Sequence, residues 1–378
     1  MGNNFSPLCT AEIAFANLEQ MKRRLLDLNA KHLLLIMGKD AADWWELHGF
    51  LKEMEQRFSL LWLQTDVANP DQNDVKEALA EVGANDLDAI IAIGGGSVID
   101  LAKAVSAFYE KGKNTSYTVE EITEAIRSKS YQKKASFVDI IAVPSTAGTG
   151  SEVTQWATVW DCGKTSKFSI DAPGLKPALA LIVPDLTLTL PKKLVLSTAL
   201  DAVAHAVEAF WSRHTNPLVK DLSLEAVRVI TANLGAALNH PQDYSLREKL
   251  CRGSLLAGLA FSQTRTTACH SISYPLSFLH NVPHGFAAAM TLGEVAEINK
   301  EKTANYDELE AAFAPYGGLQ KWMDAVCTGT VELRLHTFGI SEGDIENIVR
   351  YAFTAGRMDN NPVDLSEKDV ECILKSVF

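Results

Sequence analysis

Four side chains offer a metal its ligands. In LDAVAHAVEAF, Asp201 and His205 stand four apart on a segment with helical spacing, which puts both on one face about one turn apart. Asp and His supply oxygen and nitrogen donors suited to zinc, iron or a similar divalent ion. Downstream, ACHSISYPLSFLHNVPHGFAAAM carries His270, His280 and His284, three of the nine histidines, in a mostly apolar stretch. A buried imidazole is costly without a hydrogen bond or a metal. Asp201, His205, His270 and His284 could converge from two or three helices of a bundle. The competing reading is an acid beside a hydrogen-bonded histidine, which this spacing also allows.

A second kind of chemistry lies upstream. In IAIGGGSVID, Gly94, Gly95, Gly96 and Ser97 stand where an apolar strand turns into a helix. Glycines let the backbone approach a phosphate, and free N–H groups at a helix N-terminus favour an anion. The spacing is not GxGxxG, so the usual dinucleotide fingerprint is absent, and a tight strand–helix turn explains GGGS equally well. A second small-residue loop, STAGTGSE (145–152), follows a strand of its own. Two such loops at strand C-ends of one open α/β sheet make a ligand crevice.

The elements that must position these residues follow from the apolar pattern. Residues 31–37 (KHLLLIM) and 58–64 (FSLLWLQ) read as buried strands, 41–57 as a helix between them, and 75–84 as a helix ending near a Gly. Strand, glycine turn and helix follow in LDAIIAIGGGSVIDLAKAVSAFY; 138–154 repeats strand into loop, and 179–186 is a further strand. Alternation of strands and helices predicts a doubly wound parallel sheet. After LPKK (190–193) helical patterns take over, so the expected division is α/β over 1–189 and all-α over 190–378.

Composition excludes some function classes. The chain has 378 residues, 47% apolar and 22% charged, with a formal net charge of -12. That balance is ordinary for a globular protein and opposes non-specific nucleic-acid binding. An acidic chain can still hold a local cationic pocket for an anionic small molecule. The six cysteines form no CxxC pair, which with this length points to a reducing cytoplasm rather than a disulfide framework. No signal peptide and no bilayer-length apolar run is evident. The opening MGNNFS fits a myristoylation pattern in Gly2 and Ser6, but no basic cluster or second lipid site follows.

Four stretches in order carry a resemblance: GGGSVIDLAK (94–103), PSTAGTGSE (144–152), DAVAHAVE (201–208) and the His270 to Gly285 segment. Together they resemble the iron-containing, group III, alcohol dehydrogenases over most of the chain; AEIAFANLEQM (11–21) also resembles that family's opening strand and helix. The resemblance implies an N-terminal dinucleotide-binding domain and a C-terminal helical metal-binding domain. It implies an NAD(P)-dependent, metal-dependent alcohol dehydrogenase or aldehyde reductase, with hydride passing between the nicotinamide and a carbonyl polarised by Fe2+ or Zn2+. Its metal ligands would be Asp201, His205, His270 and His284. The pyrophosphate would lie on Gly95, Gly96 and Ser97, with Asp100 near the nicotinamide end and Thr146, Thr149, Ser151 and Lys167 along the cofactor. A homodimer is common in the family.

Three departures sharpen the expectation. The second His of the family's HxxxH is Tyr274 here; a phenol near pKa 10 is a poorer proton relay at neutral pH, and His280 is the substitute candidate. The end of LLLIMGKD has Gly38 where NAD-using members often carry an acid, and Lys39 follows. Losing that carboxylate removes repulsion against a 2′-phosphate, so NADP(H) is favoured over NAD(H). In FSQTRTTACH, Arg265, Thr266 and Thr267 replace a Gly-Leu-Gly stretch. An arginine fork suits phosphonate or carboxylate, so Arg265 and Thr267 are expected to bind an anionic tail, unless Arg265 pairs with Glu294 or Glu208. The phosphonoacetaldehyde reductase branch is similar in HSISYPL and Arg-Thr-Thr.

Competing classes are a dehydroquinate-synthase-like lyase, a metal-free maleylacetate-reductase type and a non-catalytic nucleotide-binding relative. The first should carry a dense Lys/Arg array that the motif region lacks. Intact Asp201 and three histidines oppose the second. Tyr274 keeps the third in view. The expected partner is a small aldehyde or alcohol, with neither nucleic acid nor membrane.

Overall fold

A computed structural model of the chain describes residues 12–113, 116–163 and 167–378. Gly2 and Ser6 lie outside the described residues. Two compact units emerge. One holds Ala147–Gly150 and Leu190–Phe378; the other holds the described residues up to Thr146 and Ser151–Thr189.

The α/β unit is built on six parallel strands: β1 (Glu12–Phe15), β2 (His32–Met37), β3 (Ser59–Gln64), β4 (Ala89–Gly94), β5 (Asp139–Pro144) and β8 (Leu179–Ile182), in the order β1-β8-β5-β4-β2-β3. Side chains alternate between two cores. Leu34 and Ile36 of β2 join one cluster with Ile90 and Ala92 of β4. Leu33, Leu35 and Met37 join the other with Ile91 and Ile93. Burial on both faces is why these strands read as continuous apolar runs. Helices α1 (Leu18–Leu26), α2 (Ala41–Trp44), α3 (His48–Arg57), α4 (Gln72–Val82), α5 (Gly96–Phe108) and α6 (Val119–Ser128) accompany the sheet.

The chain leaves β2 toward β3 and leaves β4 toward β5, on opposite sides. The crevice at the C-ends of an open sheet forms where direction reverses in this way. Register places Met37 beside Ile93, so Gly38 and the Gly94–Ser97 turn share that reversal point.

Two local readings are corrected. The expected single helix over 41–57 is two helices, because Glu46 adopts φ 52 between them. Residues 156–171 contain an antiparallel hairpin, β6 (Trp156–Trp160) with β7 (Lys167–Asp171), which the sequence reading missed.

The helical unit is organised around α7 (Lys192–Trp211), with α8 (Pro217–Asn239), α9 (Tyr244–Thr264), α10 (Ala268–His280) and α11 (His284–Met290). By length and composition α7 could cross a bilayer, which corrects the expectation that no segment could. Its apolar stretch is 89% buried within the protein, and core packing accounts for its composition.

Candidate functional site

Helix α7 carries Asp201, His205 and Glu208 at i, i+4 and i+7, one face of one helix. His270 lies in the first turn of α10, and His284 is the first residue of α11 after Pro283. Gly285 lets that entry sit flush on α7: a Cβ there would collide with the backbone carbonyl of Ser197.

Ligand atoms of Asp201, His270 and His284 lie within 4.8 Å of one another. His270 Nε2 is 3.3 Å from Asp201 Oδ1, and His284 Nε2 is 3.8 Å from the same oxygen. His205 stands beside this trio. Its ring stacks on His270 at 4.4 Å and on Phe261 at 4.1 Å, and its Nδ1 lies 4.0 Å from Asp201 Oδ2 and 3.3 Å from the Gly148 carbonyl. Asp201, His205 and His270 are buried, and His284 is half-buried.

Glu208 is the residue the sequence reading missed here; it weighed Glu208 only as a partner for Arg265. It is fully buried. Its Oε2 pairs with His270 Nδ1, and its Oε1 accepts from Thr267 N at 3.0 Å, Thr267 Oγ1 at 2.8 Å and His270 N at 3.3 Å. The i+7 spacing from Asp201 was the available signal.

The donor set fits a divalent metal. With Nδ1–H donating a hydrogen bond to Glu208, His270 Nε2 turns its lone pair toward Asp201 Oδ1, and two acceptors at 3.3 Å need a shared cation or proton. Burial alone lowers His270, but Glu208 and Asp201 outweigh it and push His270 up to about 10. Burial pushes His205 down to about 4, against Asp201. Burial opposes ionisation of Asp201, yet the three imidazoles hold its carboxyl well below the usual range.

Thr267 was expected to touch substrate; it is fully buried, donates to Glu208 and accepts from Trp211 Nε1 at 2.8 Å, so it supports His270 instead. His280 ends α10, about 15 Å of helix rise from His270, and does not belong to the ligand trio. Tyr274 does approach it: its ring lies near-parallel to His284, 6.1 Å away at 13°, and its hydroxyl oxygen accepts from Arg357 Nε at 3.3 Å. Arg357 carried no sequence signal.

Arg265 caps α9 with φ 62 and ψ -175. This backbone region belongs essentially to glycine, and a side chain there costs on the order of 1–3 kcal/mol.

In the α/β unit, α5 begins at Gly96 with no side-chain cap, and an end of this kind is suited to an anion. Ser97 Oγ accepts from Asn69 N at 3.0 Å, and a Cβ on Gly95 would sit 3.5 Å from Thr146 Cγ2. Asp100 and Ser151 are bound to each other: Ser151 Oγ donates to Asp100 Oδ1 at 2.5 Å, and Thr158 N donates to Oδ2 at 2.8 Å. Buried Lys103 ties that network, donating to Ser151 O, Thr154 Oγ1 and Trp156 O at 2.7, 3.0 and 2.9 Å. Lys167 lies on β7 with its ammonium 5.9 Å from the Trp160 ring centre. Gly38 has room for a side chain, with Ala41 Cβ 3.7 Å away. Lys39 Nζ pairs with Asp66 at 3.1 Å.

The glycines of STAGTGSE have a packing role. A Cβ on Gly148 would meet Thr198 O of α7 at 2.6 Å, and one on Gly150 (φ 61) would meet Gly258 Cα of α9 at 2.6 Å. Thr149 sits between them in the segment that clusters with the helices.

Comparison with known proteins adds a second line. A family model described as iron-containing alcohol dehydrogenase matches residues 11–184, and one described as Fe-containing alcohol dehydrogenase family, C-terminal, matches 195–378. Long-chain-alcohol dehydrogenase 1 of Geobacillus thermodenitrificans is 28% identical, covering 99% of this chain and 96% of that one. Phosphonoacetaldehyde reductase of Streptomyces viridochromogenes is 33% identical over 61% of this chain and 58% of its own. The crystal structure of sulfoacetaldehyde reductase from Bifidobacterium kashiwanohense in complex with NAD+ superposes with a TM-score of 0.83 at 25% identity, covering 100% of this chain and 99% of that one.

Proposed function

The chain belongs to the iron-containing alcohol dehydrogenase family, oxidoreductases of alcohols and aldehydes that bind NAD(P) and a divalent metal, and from that premise we propose a specific reaction for it. It transfers hydride between NADP(H) and a small aldehyde or primary alcohol with an anionic tail, such as phosphonoacetaldehyde and 2-hydroxyethylphosphonate. The observation that carries the anionic tail is Arg265, an arginine held in a glycine-only backbone conformation next to the turn that leads to His270. The names of two similar proteins, phosphonoacetaldehyde reductase and sulfoacetaldehyde reductase, support this substrate class.

Asp201, His270 and His284 would hold Fe2+ or Zn2+, with His205 as fourth ligand. The ion supplies Lewis-acid polarisation of a carbonyl. Glu208 keeps the His270 proton on Nδ1 and leaves Nε2 to the site. Arg357 occupies a lone pair of Tyr274 Oη, so the hydroxyl hydrogen points elsewhere, which suits Tyr274 to give a proton to the product oxygen. His280, by its distance, is left out of this route. Gly95, Gly96 and Ser97 would receive the pyrophosphate, with Gly38 at the adenosine ribose and Thr146, Thr149 and Lys167 along the cofactor. Asp100 and Ser151 would line the cofactor as one bonded unit. In this reading residues 1–189 bind the dinucleotide, residues 190–378 hold the metal, and the protein works as a cytoplasmic homodimer.

The test is NADPH and NADH oxidation by metal-reconstituted protein, with phosphonoacetaldehyde and acetaldehyde side by side, in wild type and Arg265→Ala. The reading requires a kcat/KM advantage for the charged aldehyde that shrinks in the variant. Equal kcat/KM for both aldehydes in wild type would discard the anionic substrate and keep the dehydrogenase.

A further inference from the structure

Arg357 is a cation whose position is built and whose charge is unanswered. It is half-buried. Its Nε donates to Tyr274 Oη at 3.3 Å, and its Nη1 donates to Gly356 O at 2.7 Å. Among the described residues it has no carboxylate partner, and Nη2 has no hydrogen-bond acceptor. Most other half-buried or buried cations here are answered: Lys103 by four oxygens, Lys134 by the Ser106 and Tyr109 carbonyls, Arg247 by Pro241 O.

Its backbone is fixed with equal care. Thr354 N donates to Ser271 Oγ at 3.0 Å, which pins the segment to α10 one residue after His270. Asn360 Nδ2 donates to Gly356 O at 2.8 Å and to Thr266 O at 3.1 Å. Asn360 therefore ties the Arg357 turn to the Arg265–Thr267 turn. Tyr274, on which the guanidinium rests, stacks toward His284. Arg357 is thus one side chain removed from the ligand trio, on a segment bonded to the one that carries Arg265.

We propose that Arg357 is a specificity-determining residue for the anionic tail of the substrate, offering its Nη2 to an oxyanion, phosphonate or sulfonate, while its Nε stays on Tyr274 and its Nη1 on the Gly356 carbonyl. The inference rests on the proposed anionic-aldehyde reduction and adds its second cation, contributed by the C-terminal region and not by the Arg-Thr-Thr stretch. A planar guanidinium held in place through Nε and Nη1 presents its remaining Nη2 donors to an oxyanion in a fixed orientation. Charge-assisted hydrogen bonds of this kind correspond to roughly tenfold to a hundredfold in affinity.

The experiment compares wild type, Arg357→Gln and Arg357→Lys as metal-reconstituted, full-length protein. The readouts are kcat and KM for phosphonoacetaldehyde and for propanal, and calorimetric affinity for 2-hydroxyethylphosphonate in the presence of oxidised cofactor. The expected result is that Arg357→Gln lowers the phosphonoacetaldehyde-to-propanal ratio of kcat/KM by on the order of tenfold or more, mainly through KM, with weakened alcohol binding in the calorimeter. Arg357→Lys should fall between, keeping the charge and losing the fork. An unchanged ratio in Arg357→Gln, with a wild-type enzyme that does prefer the anionic aldehyde, overturns the role of Arg357 and leaves the substrate class standing. Equal losses for both aldehydes would confine Arg357 to its support of the Tyr274 hydroxyl and would overturn its role in specificity. A wild-type enzyme without preference fails at the earlier step, because the substrate reading itself is then wrong.

Discussion

Glu208 and His270 form one buried unit: the carboxylate accepts a hydrogen bond from the imidazole Nδ1–H with one oxygen and from the His270 backbone N–H with the other. Glu208 Oε1 also accepts from Thr267 immediately before α10. One side chain of α7 therefore sets both the start of α10 and the direction of His270 Nε2. Glu208→Gln would keep the shape and turn an amide N–H or a weaker acceptor toward Nδ1. Metal affinity should fall by about 10–100-fold, measured by chelator competition. Unchanged affinity would reduce Glu208 to a packing role.

Gly285 makes a second, steric prediction. An added Cβ would press on the Ser197 carbonyl of α7, and backbone on both sides resists. Gly285→Ala should shift His284 away from Asp201 and lower both metal occupancy and thermal stability, the latter by about 1–3 kcal/mol. Metal analysis after dialysis, beside a melting curve, reads both. Full occupancy at normal affinity would contradict the placement of His284.

Arg265 predicts opposite effects on stability and specificity. Its φ of 62 with ψ -175 suits glycine. Arg265→Gly should stabilise the fold by on the order of 1 kcal/mol while diminishing discrimination in favour of an anionic aldehyde. Thermal unfolding and the aldehyde kcat/KM ratio are the two readings. A variant that is less stable would mean that the arginine side chain holds the turn.

Cofactor choice turns on Lys39. Its ammonium is 3.1 Å from Asp66, and both side chains are exposed. Asp66→Asn should free Lys39 for a 2′-phosphate and improve the NADPH-to-NADH affinity ratio several-fold, at most about tenfold, given how little exposed pairs contribute. Fluorescence titration with both cofactors reads this. A ratio that does not move would remove Lys39 from cofactor selection.

Much of this was legible in the residues. The buried parallel strands announced themselves as apolar runs, because both faces of β2 and β4 pack into cores. The spacing of Asp201 and His205, with the isolated His270 and His284, pointed to side chains that the fold does bring together. What escaped had physical reasons. Glu208 looked like another helix-surface acid, and only the crossing of α10 over α7 makes it a buried partner of His270. Thr267 read as a pocket hydroxyl, yet Trp211 and Glu208 consume it. STAGTGSE read as one wall of a ligand crevice, and nothing in its pattern announced that Gly148 and Gly150 permit close approach to α7 and α9. Arg357 sits over eighty residues from Tyr274 in sequence, and no local pattern connects them.

The most direct test of the central claim is NAD(P)H oxidation with a small aldehyde by protein stripped of metal and then titrated with Fe2+ or Zn2+, in wild type and in Asp201→Ala. The account predicts negligible turnover without metal, recovery that saturates near one ion per chain, and little recovery in the variant. Equal turnover by the stripped wild-type protein, or full recovery in Asp201→Ala, would contradict a metal centre built on Asp201, His270 and His284.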